Sequence, residues 1–479
     1  MNEPDRHAEH GDWPGTLTQM RAALAKRAIS STQLVSHAIE SIQTWQDVTN
    51  AASQLWPDEA LAAARAASPE VAGPLHGIPV LVKELFDVAG HETTGCCEAF
   101  RGNVAASDAF LVARLRDAGA IIVGKTNMHE LAASATNHIS ACGATHNPWD
   151  PARLTGGSSG GSAAVIATRS VPFALGTDTA GSIRVPASFC GVVGLKPTHG
   201  RLPMRGVMPL SPTMGCAGPM AATVEDVALG YAALTSESGQ PAWADSLAGV
   251  RIGRVREGYF SRLIHPHVRV ALDHVADALI DAGAVLVDAS LPDMDGALRT
   301  WGDIAWPEFA TVYPDLDLDH VGHQIAEHYR YGKTLDPHRR AAASEHAERM
   351  QAAFVAALRG VDAVLLPATG YAAPLFTDDE IAVGDGESLN VFRGGPVWFT
   401  CPMDVGKLPA LSVPAGFDPG GLPLGVQLLG GFGAEWTLLR IGHAFQRLTG
   451  HHLRTPPPQP GPEVAVPVSA SAGFTQEQS

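Results

Sequence analysis

Short apolar runs alternate along this chain with segments whose apolar residues recur at helical spacing. The short runs predict buried strands, because a strand covered on both faces needs no polar alternation. They lie at residues 78–83, 120–123, 171–175, 250–255, 284–287 and 361–369, the last ending in a turn. Amphipathic or alanine-rich segments predict helices at residues 16–27, 31–45, 58–67, 107–118, 163–167, 223–234, 267–282 and 435–448, and another that starts at Met128. Strands that alternate with helices predict an α/β fold.

Glycine and serine are concentrated in two clusters on either side of the helix predicted at 163–167. The first cluster reads Thr-Gly-Gly-Ser-Ser-Gly-Gly-Ser over residues 155–162, and the second reads Asp-Thr-Ala-Gly-Ser-Ile-Arg over residues 178–184. Glycine turns beside the ends of elements bring backbone N–H groups close to a ligand. No lysine follows the glycines, so the phosphate-binding P-loop pattern is excluded. Serine hydroxyls beside free amides suit acyl transfer, which needs a nucleophile and an oxyanion hole.

Lys83 ends the apolar run of residues 78–82. A lone lysine is usually a solvated surface charge, but five apolar residues before it predict a buried backbone. Desolvation disfavours the charged form of an amine and lowers its pKa. Lys83 is therefore a candidate base near neutral pH.

Three motifs in this order resemble the signature of the amidase signature family, the serine-dependent amidohydrolases. They are the segment Gly-Ile-Pro-Val-Leu-Val-Lys at residues 77–83 and the two glycine-serine clusters. Ser158 and Ser182 match the two family serines and stand 24 positions apart, as expected for the family. The resemblance implies the amidase signature fold, an α/β architecture with a central twisted mixed β-sheet covered by helices on both faces.

The resemblance also implies a catalytic triad. Ser182 would be the nucleophile, Lys83 the base, and Ser158 a proton relay that follows a cis peptide bond from Gly157. The oxyanion hole would use the backbone N–H groups of Thr179, Ala180, Gly181 and Ser182. Many relatives have glycine where this chain has Ala180, which fits unless that position needs a positive φ.

The resemblance and the positions of residues near the motifs suggest two further sets, one for the substrate pocket and one for structural support. Met128 and Gly157 are candidates for the substrate pocket, although methionine is also a common core residue. Asp178 and Arg184 flank the nucleophile and are expected to pair, and Ser159 is expected to hydrogen-bond within the first loop. All three are interpreted as structural support.

The family pattern also predicts the organisation of the chain. We expect a single amidase signature domain at residues 15–454, with a core at 60–235 and 360–450. Residues 236–360 lose the resemblance and are predicted to form a variable segment that shapes the substrate entrance. Residues 1–14 are expected to be disordered, as is the Pro/Ser/Ala-rich tail at 455–479.

Composition limits the partners, the cellular location and the cofactors that we expect for this protein. A formal net charge of −16 argues against a nucleic-acid partner, which would need a basic face. The N-terminus lacks the pattern of a signal peptide. No apolar run approaches the roughly 20 residues that a membrane-spanning helix requires, so no membrane span is predicted. The six cysteines show no C-x-x-C spacing, which favours free thiols in the cytoplasm. No metal-ligand spacing occurs among the twenty histidines, and the proposed chemistry needs no cofactor.

The sequence therefore predicts an amidohydrolase that acts on a small molecule. It would cleave the C–N bond of a carboxylic amide, carbamate or urea-like compound through an acyl-enzyme, and release an acid plus an amine or ammonia. A monomer or a homodimer is expected. Two alternatives stay open: the amidase subunit of a glutamine-dependent tRNA amidotransferase, and a catalytically inert amidase-like binding module.

Overall fold

The computed structural model of the chain describes residues 13–67, 73–237, 243 and 246–457. Its longer helices are α1 (Leu17–Ala25), α2 (Ser31–Thr49), α3 (Pro57–Ala66), α4 (Phe110–Asp117), α5 (Gly160–Ala167), α6 (Arg184–Cys190), α7 (Val224–Thr235), α8 (Pro266–Asp281), α9 (Ala297–Val312), α10 (His323–Thr334), α11 (Pro337–Ala357), α12 (Cys401–Val405) and α13 (Glu435–Leu448). None of the helices in these ranges is both long and apolar enough to cross a membrane.

The strands are β1 (Ala52–Leu55), β2 (Pro79–Lys83), β3 (Ile121–Thr126), β4 (His146–Asn147), β5 (Asp150–Leu154), β6 (Phe173–Asp178), β7 (Val193–Lys196), β8 (Cys216–Ala221), β9 (Arg251–Arg254), β10 (Val285–Asp288), β11 (Ala363–Pro367), β12 (Glu380–Gly384), β13 (Glu387–Asn390), β14 (Ala410–Phe417) and β15 (Pro423–Leu429). Eleven of them form one mixed sheet in the order β1-β3-β2-β6-β8-β7-β14-β15-β11-β9-β10. Two small hairpins, β4-β5 and β12-β13, lie outside it.

Every residue of β2, β3, β6, β7, β8 and β15 is buried, because helices flank the sheet. This burial explains the unbroken apolar runs in the sequence, since a strand with two covered faces cannot alternate. The predicted α/β class and the large mixed sheet with its flanking helices are confirmed.

The centre of the sheet positions the two principal motifs. β2 and β6 are parallel neighbours, with Leu81 opposite Ala174 and Val82 opposite Leu175. Both strands therefore end at the same edge of the sheet, where ligand sites of α/β proteins usually lie. β2 ends at Lys83, and the loop that carries Ser182 begins directly after β6.

Some local predictions were wrong. No α-helix starts at Met128; only the short 3-10 turn Glu130–Ala132 forms, and Leu131 within it has a positive φ of 47°. β8 was not predicted, since Gly218 and Pro219 are poor strand residues. It forms because it is paired on both sides, with β6 and with β7, so tertiary pairing overrides local preference.

The segment at 236–360 contributes β9 and β10 to one end of the main sheet, and then α9, α10 and most of α11. The expectations for the two termini fall mainly on residues 1–12 and 458–479, which lie outside the described residues.

Candidate active site

Lys83 is completely buried, and its amine faces two hydroxyl groups. Its Nζ lies 2.7 Å from Ser158 Oγ and 2.8 Å from Thr177 Oγ1. Burial lowers the pKa of Lys83 to about 7, although the nearby charge of Asp178 opposes this shift. A large share of the amine is thus neutral near pH 7 and able to accept a proton.

Ser158 lies in the glycine-serine loop that leads into α5. The Gly157–Ser158 peptide bond is cis, as the resemblance implied. The loop is tightly packed, because a Cβ on Gly157 would lie 2.8 Å from the backbone nitrogen of Asn137. The Ser158 carbonyl accepts the N–H of His129 at 3.2 Å, which ties this loop to the one that follows β3.

Ser159 joins the two serine loops. Its N–H donates to the Ser182 carbonyl at 3.2 Å, and its hydroxyl donates to the Thr177 carbonyl at 3.2 Å. Ser159 therefore connects the two loops through its backbone and its hydroxyl.

The loop at 178–183 is held by its carbonyl groups. The Thr179 carbonyl accepts the indole N–H of Trp301 at 2.7 Å, and the Ala180 carbonyl accepts the Thr400 hydroxyl at 2.7 Å. The N–H groups of Thr179, Ala180 and Ser182 have no acceptor within the described part of the chain. These three amides are thus available to a ligand beside the Ser182 hydroxyl.

Gly181 differs from the expected oxyanion hole. Its N–H already donates to Asp178 Oδ1 at 2.6 Å, which removes it from the set of free donors. The glycine itself is required, since φ is +137° and a Cβ would lie 2.1 Å from Thr400 Oγ1. Ala180 has no positive φ, so its methyl group is compatible with the loop.

Behind this loop lies a buried ionic network around Arg184. The guanidinium donates to both carboxylate oxygens of Asp178 at 3.0 Å and to Asp404 Oδ2 at 2.5 Å. Burial by itself would raise the pKa of Asp178, but Arg184 holds it at about 2. Burial and the Asp178 charge both raise the pKa of Asp404, while the charge of Arg184 opposes this shift. Asp178 and Arg184 are thus the pair that the sequence predicted.

Replacing Arg184 with methionine is expected to destabilise the fold. The change leaves the Asp178 carboxylate buried without its cation, which typically costs about 3–5 kcal/mol. The melting temperature and the urea midpoint should fall together. Arg340→Met is the control, since Arg340 is exposed. An unchanged melting temperature in Arg184→Met would contradict a supporting role for the ion pair.

A cavity of about 530 Å³ opens beside Ser182. The nucleophile loop lines one side through Thr179, Ala180 and Ser182, and the loop at 132–135 lines another. The remaining walls come from outside the motifs, from Leu210, Leu298, Trp301, Gly302, Trp306, Gln324, Glu327, His328, Val391, Phe392, Arg393, Gly394, Pro396 and Val397. The segment at 236–360 thus contributes to this cavity through α9 and α10.

The pocket candidates are placed differently from the prediction. Met128 is completely buried in the hydrophobic core, and neither it nor Gly157 lines the cavity. Met128 precedes the 3-10 turn, whose following residues 132–135 reach the cavity in its place.

Thr177 beside Lys83 was missed. The available signal was a hydroxyl residue at the end of an otherwise apolar strand. The aromatic wall at Trp301 and Trp306 had no signal in the sequence.

Within the described ranges, no group of three or more His, Cys, Asp or Glu side chains is arranged to hold a metal ion.

The mixed sheet, with its buried lysine strand and two serine loops, defines the class of amidase signature enzymes. The chain belongs to the amidase family, which it matches over residues 33–439. It is 35% identical to a glutamyl-tRNA(Gln) amidotransferase subunit from Ralstonia nicotianae, over 92% of this chain and 99% of that one.

Solved structures show the same fold. A crystal structure of an amidase superposes with a TM-score of 0.84 at 31% identity, and covers 90% of this chain and 99% of that chain. A glutamyl-tRNA(Gln) amidotransferase subunit from Thermotoga maritima superposes with a TM-score of 0.72 at 26% identity, over 87% and 91% of the two chains. Together these relatives support an amide-cleaving enzyme.

Proposed function

We propose that this protein cleaves the C–N bond of an amide through an acyl-enzyme formed on Ser182. The observation that carries the proposal is the contact of 2.7 Å between the Lys83 amine and the Ser158 hydroxyl, in a buried site. A serine hydroxyl is a weak nucleophile until a base removes its proton. Among the described residues, Lys83 is the buried amine that faces a serine of the two glycine loops.

The proton takes the following route. Ser182 Oγ attacks the amide carbonyl while its proton passes to Ser158 and the proton of Ser158 passes to Lys83. Collapse of the tetrahedral intermediate breaks the C–N bond, and the relay returns a proton to the leaving nitrogen. Water then attacks the acyl-enzyme by the same relay, which releases the acid and restores Ser182.

The negative charge on the carbonyl oxygen would be met by the free amides of Thr179, Ala180 and Ser182. Removing one such donor typically costs about 3–4 kcal/mol of transition-state stabilisation. The Trp301 and Thr400 bonds to the loop carbonyls keep these amides in place before substrate binds, so little reorganisation is needed during the reaction.

The pH dependence of kcat/KM should follow the protonation of the Lys83 amine. The neutral form of Lys83 is the base, so activity is present above its pKa of about 7 and is lost as the pH falls through that value. A rate profile from pH 5 to 9 on an uncharged amide measures this. A profile that is flat across pH 6 to 8 would contradict Lys83 as the base.

A second candidate function is supported by the relatives. The name of the Ralstonia nicotianae relative favours a protein that releases ammonia from glutamine for transfer to a tRNA-bound substrate, together with partner subunits. Glu327 and Arg393 are exposed at the cavity and are the charged groups there that suit the α-amino and α-carboxyl groups of glutamine. The TM-score is 0.84 on the amidase and 0.72 on the Thermotoga maritima protein, so the structural neighbours support amide cleavage for either candidate function.

The test uses the full chain alone. Hydrolysis of an aliphatic amide, an anilide, an ester, a carbamate, a biuret-like compound and glutamine is measured, with fluorophosphonate labelling of Ser182 in parallel. Turnover of a simple amide supports the hydrolase. Activity on glutamine alone, or only with a co-purified partner protein, supports the amidotransferase. Folded protein that neither reacts with the probe nor turns over any compound would support the inert binding module.

A further inference from the structure

Polar groups without partners gather at one wall of the cavity. Gln324 and His328 stand one turn apart on α10 and both line the cavity. Gln324 Oε1 and His328 Nδ1 are buried, and neither has a hydrogen-bond partner among the residues described. Buried polar atoms in folded proteins are almost always paired, so an unpaired group that faces a cavity points to a ligand or an ordered water.

His129 lies behind this wall. It is completely buried, and its ring nitrogens make no hydrogen bond of normal geometry, but the Gln324 side chain is close enough to interact with the ring. It interacts electrostatically with His138 and His328, and its ring centroid lies 5.4 Å from that of His138. The cavity wall itself therefore offers Gln324 Oε1 and His328 Nδ1 from α10, whereas His129 interacts with both residues from outside the lining.

None of these groups carries a charge at neutral pH. Burial lowers the pKa of His328 to about 4 and lowers the pKa of His129 well below its usual value. Among the described residues that line the cavity, Glu327 and Arg393 are formally charged, and both are exposed. Because an unpaired charge is costly to bury, the inner wall suits an uncharged polar group.

The same wall is flat and aromatic. His328 stacks on Trp306 at 3.8 Å between ring centroids with an interplanar angle of 11°. Trp306 meets Trp301 edge to face at 5.2 Å, and Trp301 is held by its bond to the Thr179 carbonyl. Aromatic faces of this kind favour a planar group.

We propose that His129, Gln324 and His328 form a specificity subsite for an uncharged planar ring that carries hydrogen-bonding atoms, such as a nitrogen heteroaromatic, on the amide substrate. This inference rests on the proposed function, since the ring must be attached to an amide cleaved at Ser182. His328 Nδ1 would donate to a ring acceptor when it carries the proton, and Gln324 Oε1 would accept from a ring N–H or amino group. His129 supports them from behind as a positioning residue.

The experiment compares three amides of similar size. Nicotinamide has a neutral ring nitrogen, benzamide lacks it, and 4-carboxybenzamide adds a negative charge. We expect kcat/KM for nicotinamide to exceed that for benzamide by about tenfold, because one unmatched buried hydrogen-bonding group costs about that much. The anionic amide should be the poorest substrate.

Variants of the cavity wall test whether its side chains cause the preference for nicotinamide over benzamide. His328→Phe keeps a ring against Trp306 but removes both nitrogens. It should lower the nicotinamide-to-benzamide ratio to near one while hydrolysis of benzamide persists, because the ring nitrogen of nicotinamide needs a hydrogen-bond donor. His323→Phe is the matched control, because His323 is exposed at the start of the same helix. It should leave the ratio unchanged.

The outcomes separate this inference from the proposed function. Equal or faster hydrolysis of benzamide by the wild type, dependent on Ser182, overturns the subsite alone. Hydrolysis that persists in Ser182→Ala overturns the proposed function.

If none of the amides is turned over, the same compounds are tested as protectants of Ser182 against a fluorophosphonate. Stronger protection by nicotinamide that is lost in His328→Phe supports the subsite, whereas equal protection by all three overturns it. Folded protein that does not react with the fluorophosphonate overturns the proposed function.

Discussion

Ser182→Ala is expected to lower the turnover of an amide substrate by roughly 10⁶-fold, the loss typical of removing a serine nucleophile. The hydroxyl lies beside three free backbone amides, and its replacement leaves these amides and the cavity intact. Residual turnover would come from transition-state binding alone. The assay follows release of ammonia or amine at saturating substrate, and circular dichroism checks the fold.

Ser344→Ala is the matched control for this change, since Ser344 is exposed on α11. Its turnover should equal that of the wild type. The variant Ser182→Ala should also fail to react with a fluorophosphonate that labels the wild type. Turnover within a hundredfold of the wild type in Ser182→Ala would refute the assignment of the nucleophile.

Lys83→Met is expected to lower kcat/KM by roughly 10²–10⁴-fold, the usual contribution of a general base. Methionine is unbranched and fills most of the buried space, but it cannot accept the proton that Ser158 relays. The dependence on a pKa of about 7 should vanish with the amine, so the two readouts are a lower rate and a flat pH profile between 6 and 8.

Two further variants control for structural effects at this position. Lys83→Arg keeps a cation but should not restore activity, because the guanidinium stays protonated at every working pH. Lys333→Met removes an exposed lysine and should behave as the wild type. A retained pH dependence with an unchanged midpoint in Lys83→Met would show that another group is the base.

The motifs were predictable because their chemistry is local. Five apolar residues before Lys83 are enough to predict a buried strand, and glycine clusters are enough to predict tight loops that expose amides. The buried Arg184–Asp178 pair was predictable for the same reason, since the two residues lie six positions apart, at the end of β6 and the start of α6. The parallel pairing of β2 and β6 then brings two of these local motifs to one edge of the sheet.

The details of the loop needed the tertiary structure. Gly181 was expected to offer its N–H to the substrate, but the carboxylate of Asp178 takes that donor. The free donors remain at Thr179, Ala180 and Ser182, because distant residues bind the loop through its carbonyl oxygens. Thr400 lies 220 positions from the carbonyl it binds, and no local pattern reports such a contact.

The sequence by itself predicted the fold class, because apolar runs and helical spacing are local properties. The family and the three motif residues Lys83, Ser158 and Ser182 were predicted from the resemblance of three short motifs, each contained within a few residues of the chain. Only the tertiary structure decided the cavity, where α9 and α10 bring Trp301, Trp306 and His328 opposite the serine loop. The physical reason is that substrate walls are made by packing between distant elements, and the packing surface of a helix does not reveal its partner.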